Sequence, residues 1–238
     1  MFKIDLHTHT IASGHAFGTV QENAREAKNK GIELLGITDH GSAMGGAAYE
    51  FYFRCGNRLP KNIEGVRILF GVEANVIDDA GQLDLSDNIL KNLDFVIVGI
   101  HYDCGYIDQG VEKNTETLIK AMQNPYVKIV SHPYWSMMPV DIEAIAKEAV
   151  KKNILLEINA SFFYTNKLED EVMWGKMKKM IKILKESGQK MILNSDAHSP
   201  YEVGRFQEVV DKFGELGIDE GDLLNDDVEG VLKFLGKE

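Results

Sequence analysis

Apolar residues follow two alternating patterns along the chain, and these predict strands that alternate with helices. Seven short runs are rich in β-branched and other apolar residues, as expected for strands. They cover residues 2–7, 34–38, 67–76, 94–101, 128–132, 154–159 and 190–195. Strands separated by helical segments are typical of βαβ units and a parallel sheet. Periodicity alone leaves open whether seven such units form an open sheet or a closed barrel.

Three of the intervening segments have helical spacing and recognisable ends. Thr19 and Glu22 have the spacing of a capping box, and Gly31 lies near the end of the helix that they open. Asp141 is the predicted N-cap of a helix whose apolar residues fall on one stripe. A third stripe, rich in methionine, ends before Gly188. We interpret that stripe as core packing rather than as a cofactor surface.

The composition is that of an ordinary globular protein. The chain has 238 residues, of which 44% are hydrophobic and 26% charged, and no apolar run is long enough to predict a membrane-spanning helix. It contains no low-complexity tract or long linker, so we predict one domain over residues 1–238. Alternating apolar and polar residues at the start argue against a signal peptide, and we expect a cytoplasmic protein. Cys55 and Cys104 are too few for a disulfide framework and are predicted to be reduced thiols.

The net charge of −11 argues against nucleic acid as an obligate ligand. A stripe of lysine and arginine is the usual electrostatic requirement for binding a polyanion, and the sequence has none. A small anionic substrate remains compatible with this charge, because bound divalent cations reverse the sign of the local field. We expect no membrane partner, and a homo-oligomer stays open.

Histidine is concentrated where the predicted strands end. The loop after the first run holds His15, and six further histidines end or closely follow a run: His7, His9, His40, His101, His132 and His198. Two carboxylates have similar positions, Glu73 in the third run and Asp196 after the seventh. Because the carboxyl ends of parallel strands gather on one face, we expect all these side chains to converge.

Taken together, these residues predict a metal centre. Each signal alone is weak, since a His-x-His pair or a lone residue such as His132 is more often surface or hydrogen-bonded structure. Glu73 is more informative, because an unpaired carboxylate in an apolar run is costly. Seven imidazoles and two carboxylates at strand ends have no good structural explanation without metal. Nine ligands are too many for one ion, so two or three ions such as Zn²⁺, Mn²⁺ or Fe²⁺ fit the count, with a carboxylate bridging a pair.

The ordered motifs resemble those of the PHP (polymerase and histidinol phosphatase) family. The matching segments are DLHTHT at 5–10, GITDH at 36–40, GVE at 71–73, GIH at 99–101, SHP at 131–133, EIN at 157–159 and SDAH at 195–198. They span nearly the whole chain, and their joint order is highly specific. The loop ASGHAFGT at 12–19 is similar to that of the stand-alone YcdX-type phosphatases. The resemblance implies an α/β fold, a distorted (β/α)7 TIM-like barrel, with a trinuclear metal centre at its C-terminal rim.

The resemblance also implies which ion each ligand holds. One ion is assigned His7, His9, Glu73 and Asp196. A second shares Glu73 and adds His101 and His132. The third takes His15, His40 and His198. We therefore expect three divalent metal ions per chain, with Zn²⁺ favoured over Mn²⁺ or Fe²⁺.

The implied activity is hydrolysis of a small phosphorylated substrate, a phosphomonoester, by a metal-bridging hydroxide. Four further residues are assigned to the catalytic site. Asp5, which strand alternation places on the same side as His7, and Asp39 are expected to orient imidazoles. Asn159 is expected to hydrogen-bond substrate or a bound water. Arg205 is the candidate phosphate clamp, and a solvated surface arginine is the alternative for it. Three aromatic residues that follow ligand histidines are candidate pocket walls: Tyr102, Tyr134 and Trp135.

Three alternatives stay open. Histidinol phosphate is the competing substrate within the family, although its phosphatases tend to be longer and to have more arginines near the site. An amidohydrolase-type C–N hydrolase also uses a His-x-His strand and a metal hydroxide, but that class generally has eight strands in a longer chain. A non-catalytic metal-bound module is the third alternative, and intact ligands at every position argue against it.

Overall fold

Parallel strands alternate with helices over residues 2–165 and 170–237, which the computed structural model describes. The strands are β1 (Ile4–Asp5), β2 (Leu34–Ile37), β3 (Asn62–Ile63), β4 (Val66–Phe70), β5 (Val72–Asn75), β6 (Val96–Gly99), β7 (Val127–Val130), β8 (Leu155–Asn159) and β9 (Ile192–Asn194). They form one sheet in the order β1-β2-β4-β3 and another in the order β5-β6-β7-β8-β9. Every pair of neighbours is parallel except β3 with β4. The predicted α/β class with parallel strands is confirmed.

Helices connect most successive strands, except from β3 to β4 and from β4 to β5, and the predicted helix ends are confirmed. The helices are α1 (Val20–Asn29), α2 (Glu50–Arg54), α3 (Asp87–Leu90), α4 (Val111–Ala121), α5 (Ile142–Lys152), α6 (Ser161–Tyr164), α7 (Glu171–Ser187), α8 (Gln207–Val210), α9 (Phe213–Leu216) and α10 (Val228–Leu235). Thr19 forms the capping box with Glu22, and Asp141 caps α5. Gly188 ends α7 in the left-handed conformation. No helix in the described ranges combines the length and the apolar character needed to cross a bilayer.

The third predicted strand, residues 67–76, is divided in the structure and is corrected to two strands. Before Gly71 the chain pairs as β4 with β2, and after it the chain pairs as β5 with β6. A Cβ added at Gly71 would lie 2.8 Å from the carbonyl oxygen of Phe95. Because Gly71 has no Cβ, its backbone can lie this close to that of Phe95, at the point where the chain passes from one sheet to the other. The short antiparallel β3 is a further strand that the apolar pattern did not predict.

Two isolated bridges join the sheets near the strand ends. His40 pairs with Glu73 on one side, and Thr8 pairs with Ala197 on the other. The backbone N–H of His9 donates to the carbonyl of Ala197 at 2.8 Å. Each junction is a bridge rather than a continued ladder, so the strands form two mainly parallel sheets in contact.

Buried amide side chains fill the gap between β1 and β9. Asn225 donates from Nδ2 to the carbonyls of Ile4 and Leu193, at 2.9 and 2.6 Å. The Oδ1 atom of Asn194 accepts the backbone N–H of Leu6 at 2.9 Å. Side chains rather than a ladder therefore pair these backbone groups. β1 pairs with β2 at Ile4 and Asp5 and is shorter than the predicted run 2–7.

Apolar clusters lie on both sides of the sheets. The larger includes Met173, Met177 and Met180 of α7, which confirms that the methionine stripe is core packing. The smaller joins alternate strand residues to α10 and includes Ile4, Leu34, Ile97, Ile192 and Leu232. Leu34 and Leu35 belong to different clusters, as expected for neighbouring residues of a strand buried on both faces.

Candidate metal centre

The predicted ligands meet at the carboxyl ends of the parallel strands. Glu73 lies within β5, and three others lie two residues beyond a strand: His101 after β6, His132 after β7 and Asp196 after β9. Because these strands end at the same edge, their side chains converge. Three groups each place their ligand atoms within 4.8 Å of one another: His7, His9, Glu73 and Asp196; His40, Glu73 and His101; and His9, His40 and His198.

Glu73 lies at the centre of the cluster. Its carboxylate is buried, and imidazole nitrogens surround both of its oxygens. Oε2 lies 3.1 Å from Nδ1 of His40, 3.2 Å from Nε2 of His7 and 3.5 Å from Nε2 of His9. Oε1 lies 3.2 Å from Nε2 of His101 and 3.3 Å from Nε2 of His132. Each oxygen therefore faces its own set of imidazoles, which is the arrangement of a bridging carboxylate.

The two oxygens of Asp196 face different partners. Oδ1 lies 3.1 Å from Nε2 of His9 and 3.4 Å from Nε2 of His7. Oδ2 accepts a hydrogen bond from the side-chain amide of Asn159 at 3.0 Å and one from the hydroxyl of Ser161 at 3.4 Å. Holding Oδ2 in this way leaves Oδ1 directed at the imidazoles.

His15 and His198 lie at the outer side of the cluster. Their Nε2 atoms are 2.9 Å apart, and His15 is exposed. The ring of His40 lies 5.2 Å from that of His15 and 6.2 Å from that of His198, between centroids. His40 also contacts Glu73, so it lies between the outer pair and the buried carboxylate.

Five imidazoles present Nε2 to the cluster because an oxygen acceptor holds Nδ1. The acceptors are the Glu157 carboxylate for His7 (2.7 Å), the Ser13 hydroxyl for His9 (2.9 Å), the Asn75 amide oxygen for His101 (2.7 Å), and the backbone oxygens of Ser13 for His15 (3.1 Å) and of Asp196 for His198 (2.9 Å). Carboxylate, amide and carbonyl oxygens only accept, and the Ser13 hydroxyl uses its hydrogen on Asp39. In each neutral ring the hydrogen therefore lies on Nδ1, and Nε2 keeps its lone pair.

In their neutral forms, which are the ones that bind metal, these rings consequently direct Nε2 lone pairs at one another without hydrogen atoms between them. The Nε2 atoms of His7 and His9 are 3.0 Å apart, close to the 2.9 Å of the outer pair. Within the described ranges, four buried atoms of this cluster have no hydrogen-bond partner: both oxygens of Glu73, Nδ1 of His40 and Nε2 of His101. Ligands about 2.0–2.2 Å from one zinc ion lie roughly 3.3 Å from each other. The donor set and its spacing therefore fit divalent first-row cations.

Burial and charge together determine the protonation of the cluster. Burial opposes charging of His7, but neighbouring carboxylates, Glu73 first among them, outweigh it and raise the His7 pKa well above its usual value. Burial also opposes ionisation of Glu73 and Asp196, yet nearby imidazoles hold the pKa of both carboxyls well below the ordinary value. Burial lowers the pKa of His9 to about 4 and that of His40 well below its usual range. Ionised carboxylates and neutral imidazoles are the forms that bind metal.

Two of these side chains lie on strained backbone. The φ angles of His132 and Asp196 are 27° and 54°, in the left-handed region that residues other than glycine seldom adopt. Such conformations cost about 1–3 kcal/mol each and persist where the surroundings hold them. The backbone N–H of His132 donates to the buried carboxylate of Glu157 at 3.1 Å, which is one such restraint.

The structure places the two predicted orienting aspartates differently. Asp39 is linked to an imidazole through Ser13. The Ser13 hydroxyl donates to the Asp39 carboxylate at 2.7 Å and accepts from Nδ1 of His9. Asp5 contacts backbone instead, accepting the N–H groups of Ser195 at 3.1 Å and Gly204 at 2.9 Å. The expectation that Asp5 orients an imidazole is corrected, because both oxygens of its carboxylate accept backbone N–H groups.

Asn159 and Arg205 also differ from expectation. The amide nitrogen of Asn159 donates to the carboxylates of Glu157 and Asp196, both at 3.0 Å, and its oxygen accepts from Ser161, so its polar atoms are already paired within the protein. Arg205 donates to Glu208 at 2.7 Å, and its guanidinium lies 4.2 Å from the ring centre of Tyr164. Arg205 lines a different cavity and is not among the residues that line the one over the cluster. The predicted phosphate clamp is therefore corrected to a surface ion pair.

Sequence reasoning missed Glu157 as a site residue. Its buried carboxylate accepts hydrogen bonds from His7 Nδ1, the His132 backbone and the side chains of Asn159 and Asn194. The sequence did contain evidence for Glu157, because this acidic residue lies in an apolar run just as Glu73 does. Ser13 and Asn75, which hold the rings of His9 and His101, had no comparable signal, since a polar residue in a loop or at a strand end is common.

A cavity of about 500 Å³ lies over the cluster. Seven of the predicted ligands line it together with Met44, Tyr102, Asp103, Trp135 and Phe162. The predicted wall residues Tyr102 and Trp135 are thus found there. Tyr134 is instead fully buried, and its hydroxyl accepts the backbone N–H of Asn159 at 2.8 Å. The cluster is therefore open to a small ligand along one aromatic wall.

Comparison with known proteins identifies the family. The PHP domain family matches residues 5–161. A protein of Caldanaerobacter subterraneus named "Probable phosphatase" is 43% identical over 98% of this chain and 90% of its own length. One of the same description from a Thermoanaerobacter strain is 44% identical over 98% of this chain and 94% of its own.

A solved structure has the same fold at low sequence identity. The histidinol phosphate phosphatase of Lactococcus lactis, crystallised with zinc, L-histidinol and phosphate, superposes with a TM-score of 0.64 at 16% identity. The match covers 91% of this chain and 94% of that one. Asp196 and His198 lie beyond the matched family range, but the whole-length relatives extend past them. The chain therefore belongs to the PHP domain family, in a group of relatives named as phosphatases.

Proposed function

We propose that the protein hydrolyses a small phosphomonoester at a centre of three divalent cations, with zinc as the favoured metal. It is a phosphatase of the PHP family, and its relatives of about 40% identity are named accordingly. The observation that carries the assignment is the buried Glu73 carboxylate, which has no hydrogen-bond partner in the described part of the chain but has five imidazole nitrogens within 3.5 Å. An ionised, unsatisfied carboxylate in that position is too costly without cations.

Nine side chains would hold the cations. Following the family pattern, one set is His7, His9, Glu73 and Asp196; the second is Glu73, His101 and His132; and the third is His15, His40 and His198. Bound divalent cations lower the pKa of water and neutralise charge on a phosphoryl group. The short distance between Glu73 and both inner sets supports its assignment as the shared ligand.

The surrounding residues supply orientation. Glu157, Ser13 and Asn75 keep the hydrogen of their imidazole partners on Nδ1, so that Nε2 is free to bind. Asn159 holds one oxygen of Asp196 and leaves the other directed inward. A site held in this way loses little freedom when substrate binds, which favours catalysis.

We also infer that the two sheets together form the distorted (β/α)7 barrel of the family. β4 and β5 would then count as one interrupted strand, and β3 would lie outside the barrel. The His40–Glu73 and Thr8–Ala197 bridges, which join the sheets at both edges, support this arrangement.

The test combines metal content with phosphate release. Protein purified without chelator is expected to contain about three metal ions per chain and to release phosphate from p-nitrophenyl phosphate. Asp196→Asn and His9→Ala are expected to lower kcat/KM by about 10³-fold or more, because each removes a ligand. Asp226→Asn, an exposed acid outside the cavity, is the charge-matched control and keeps full activity.

Three outcomes would count against this function. Turnover like the wild type in Asp196→Asn would remove the centre from catalysis. Ammonia release from an amide panel without phosphate release would favour a C–N hydrolase. Metal-replete protein that hydrolyses no phosphoester would favour a non-catalytic module. Including histidinol phosphate among the substrates decides whether that ester is preferred.

A further inference from the structure

We propose that the wall of the cavity selects the leaving group of the substrate. The preferred substrates are phosphomonoesters whose leaving group has an aromatic or other flat apolar face and carries no second anionic group. This inference rests on the proposed phosphatase function and adds the substrate class to it. Two features of the cavity, an aromatic wall and the charge of that wall, carry it.

The aromatic wall begins directly beside the ligands. The ring of Trp135 lies 5.5 Å from that of His132, between centroids, and 5.9 Å from that of Tyr102 at an interplanar angle of 53°. Tyr102 follows His101 in the chain and is 54% exposed, although it is a large aromatic residue. A phosphoryl group bound at the ligands therefore directs its ester substituent along these rings. Met44 and Phe162 add further apolar surface to the same cavity.

The charge of the wall disfavours a second anion. Asp103 lines the cavity, whereas none of its lining residues in the described part of the chain is lysine or arginine. A carboxylate or a second phosphate on the leaving group would thus meet a like charge with no cationic side chain to pair with it. Like-charge contacts and unpaired groups are the usual means by which a site rejects the wrong ligand.

Three phosphate esters of similar alcohols separate these features. Benzyl phosphate has the apolar face, ethyl phosphate lacks it, and 4-carboxybenzyl phosphate adds an anion to the ring. We expect the zinc-loaded protein to favour benzyl over ethyl phosphate by about tenfold in kcat/KM, because only the benzyl group contacts the aromatic wall. We expect benzyl to exceed 4-carboxybenzyl phosphate by a few-fold, about the effect of one partly exposed charge pair.

Variants assign the preferences to residues. Tyr102→Ala and Trp135→Leu are each expected to reduce the benzyl-to-ethyl ratio by about threefold or more. Asp103→Asn is expected to raise the 4-carboxybenzyl-to-benzyl ratio by about two- to fivefold. Asp226→Asn removes the same charge away from the cavity and leaves both ratios unchanged. Zinc content is measured for each variant, so that loss of metal is not read as loss of selectivity.

The outcomes distinguish this inference from the function on which it rests. If no phosphate ester is hydrolysed, the phosphatase function itself is wrong. If all three esters are hydrolysed with equal kcat/KM, the phosphatase function stands and the leaving-group preference is overturned. Ratios that change equally in Asp103→Asn and Asp226→Asn would overturn the role of Asp103 alone.

Discussion

Ser13 shows how one small side chain can control the cluster. Its hydroxyl donates to Asp39 at 2.7 Å and accepts from Nδ1 of His9 at 2.9 Å and from the backbone N–H of His40 at 3.1 Å. This uses its single hydrogen and both of its lone pairs. Asp39 is held in turn by Thr10 and Tyr52, so the direction of the Ser13 hydrogen bond is determined by its surroundings.

Replacing Ser13 by alanine tests this role. Ser13→Ala is expected to weaken zinc binding by about 10–100-fold, because His9 loses the acceptor that orients its ring. Chelator competition measures the affinity, and ¹H–¹⁵N spectra of the imidazoles report whether the His9 hydrogen remains on Nδ1. Ser187→Ala is the matched control, since it removes an exposed hydroxyl that donates to the Leu184 carbonyl and accepts the backbone N–H of Gln189. An unchanged affinity and tautomer in Ser13→Ala would contradict the assignment.

The two thiols are predicted to differ in reactivity. Cys104 is 1% exposed, and burial, aided by the charge of Asp84, raises its pKa to about 12. At pH 8 a thiol reagent is therefore expected to modify one cysteine per native chain, the partly exposed Cys55, and two after unfolding. In Cys55→Ser the native protein should not react. Rapid modification of Cys55→Ser would contradict this prediction, because it would show that the surroundings of Cys104 open readily to the reagent.

At the scale of elements, strand ends and their close contacts position the ligands. β6 ends at Gly99, two residues before His101. A Cβ added to Gly99 would lie 2.5 Å from Cε1 of His101 and 2.6 Å from the hydroxyl of Ser131. The glycine therefore leaves the space that the imidazole occupies while it contacts Asn75.

Gly99→Ala is accordingly expected to displace the His101 ring. We expect a loss of about 10²-fold in kcat/KM, the usual effect of moving a catalytic group by an ångström. Gly175→Ala in α7 is the matched control, since its added Cβ lies more than 4 Å from every described atom outside its chain neighbours and its own helix backbone. That control should keep its activity and gain a little stability. Full activity in Gly99→Ala would show that the ring adapts.

At the scale of the molecule, binding of cations and stability are expected to be coupled. The cluster brings together the buried Glu73 carboxylate, the partly buried Asp196 carboxylate and imidazole lone pairs from segments that span the chain from His7 to His198. Without cations these groups repel one another or remain unsatisfied. Cations that bind only the folded chain therefore stabilise it.

Removal of metal is expected to lower the unfolding temperature. When zinc is present at about a hundred times its dissociation constant, the Tm should exceed that of chelator-treated protein by about 5–10 °C. Calorimetry with and without added zinc measures the difference. Asp196→Asn, which lacks one ligand, should show a smaller increase. Equal Tm values for the two forms of the native sequence would exclude tight binding.

The sequence by itself determined the alternation of strands and helices, the caps at Thr19 and Asp141, and the nine candidate ligands. These are local properties: a period, a spacing, or a charged residue in an apolar run. The sequence predicted that Glu73 and the histidines converge on one face, but not that five imidazoles surround the carboxylate. Those distances depend on how the strands pair.

Only the tertiary structure decided the partners of each side chain. The passage between sheets at Gly71, the backbone contacts of Asp5 and the ion pair of Arg205 with Glu208 all depend on residues distant in the chain or on the exact path of the backbone. The same holds for Glu157, which was as visible as Glu73 but became a partner of His7 rather than a member of the cluster. The pattern of residue types in the sequence indicates which polar and charged side chains need partners. Tertiary packing determines which residues those partners are.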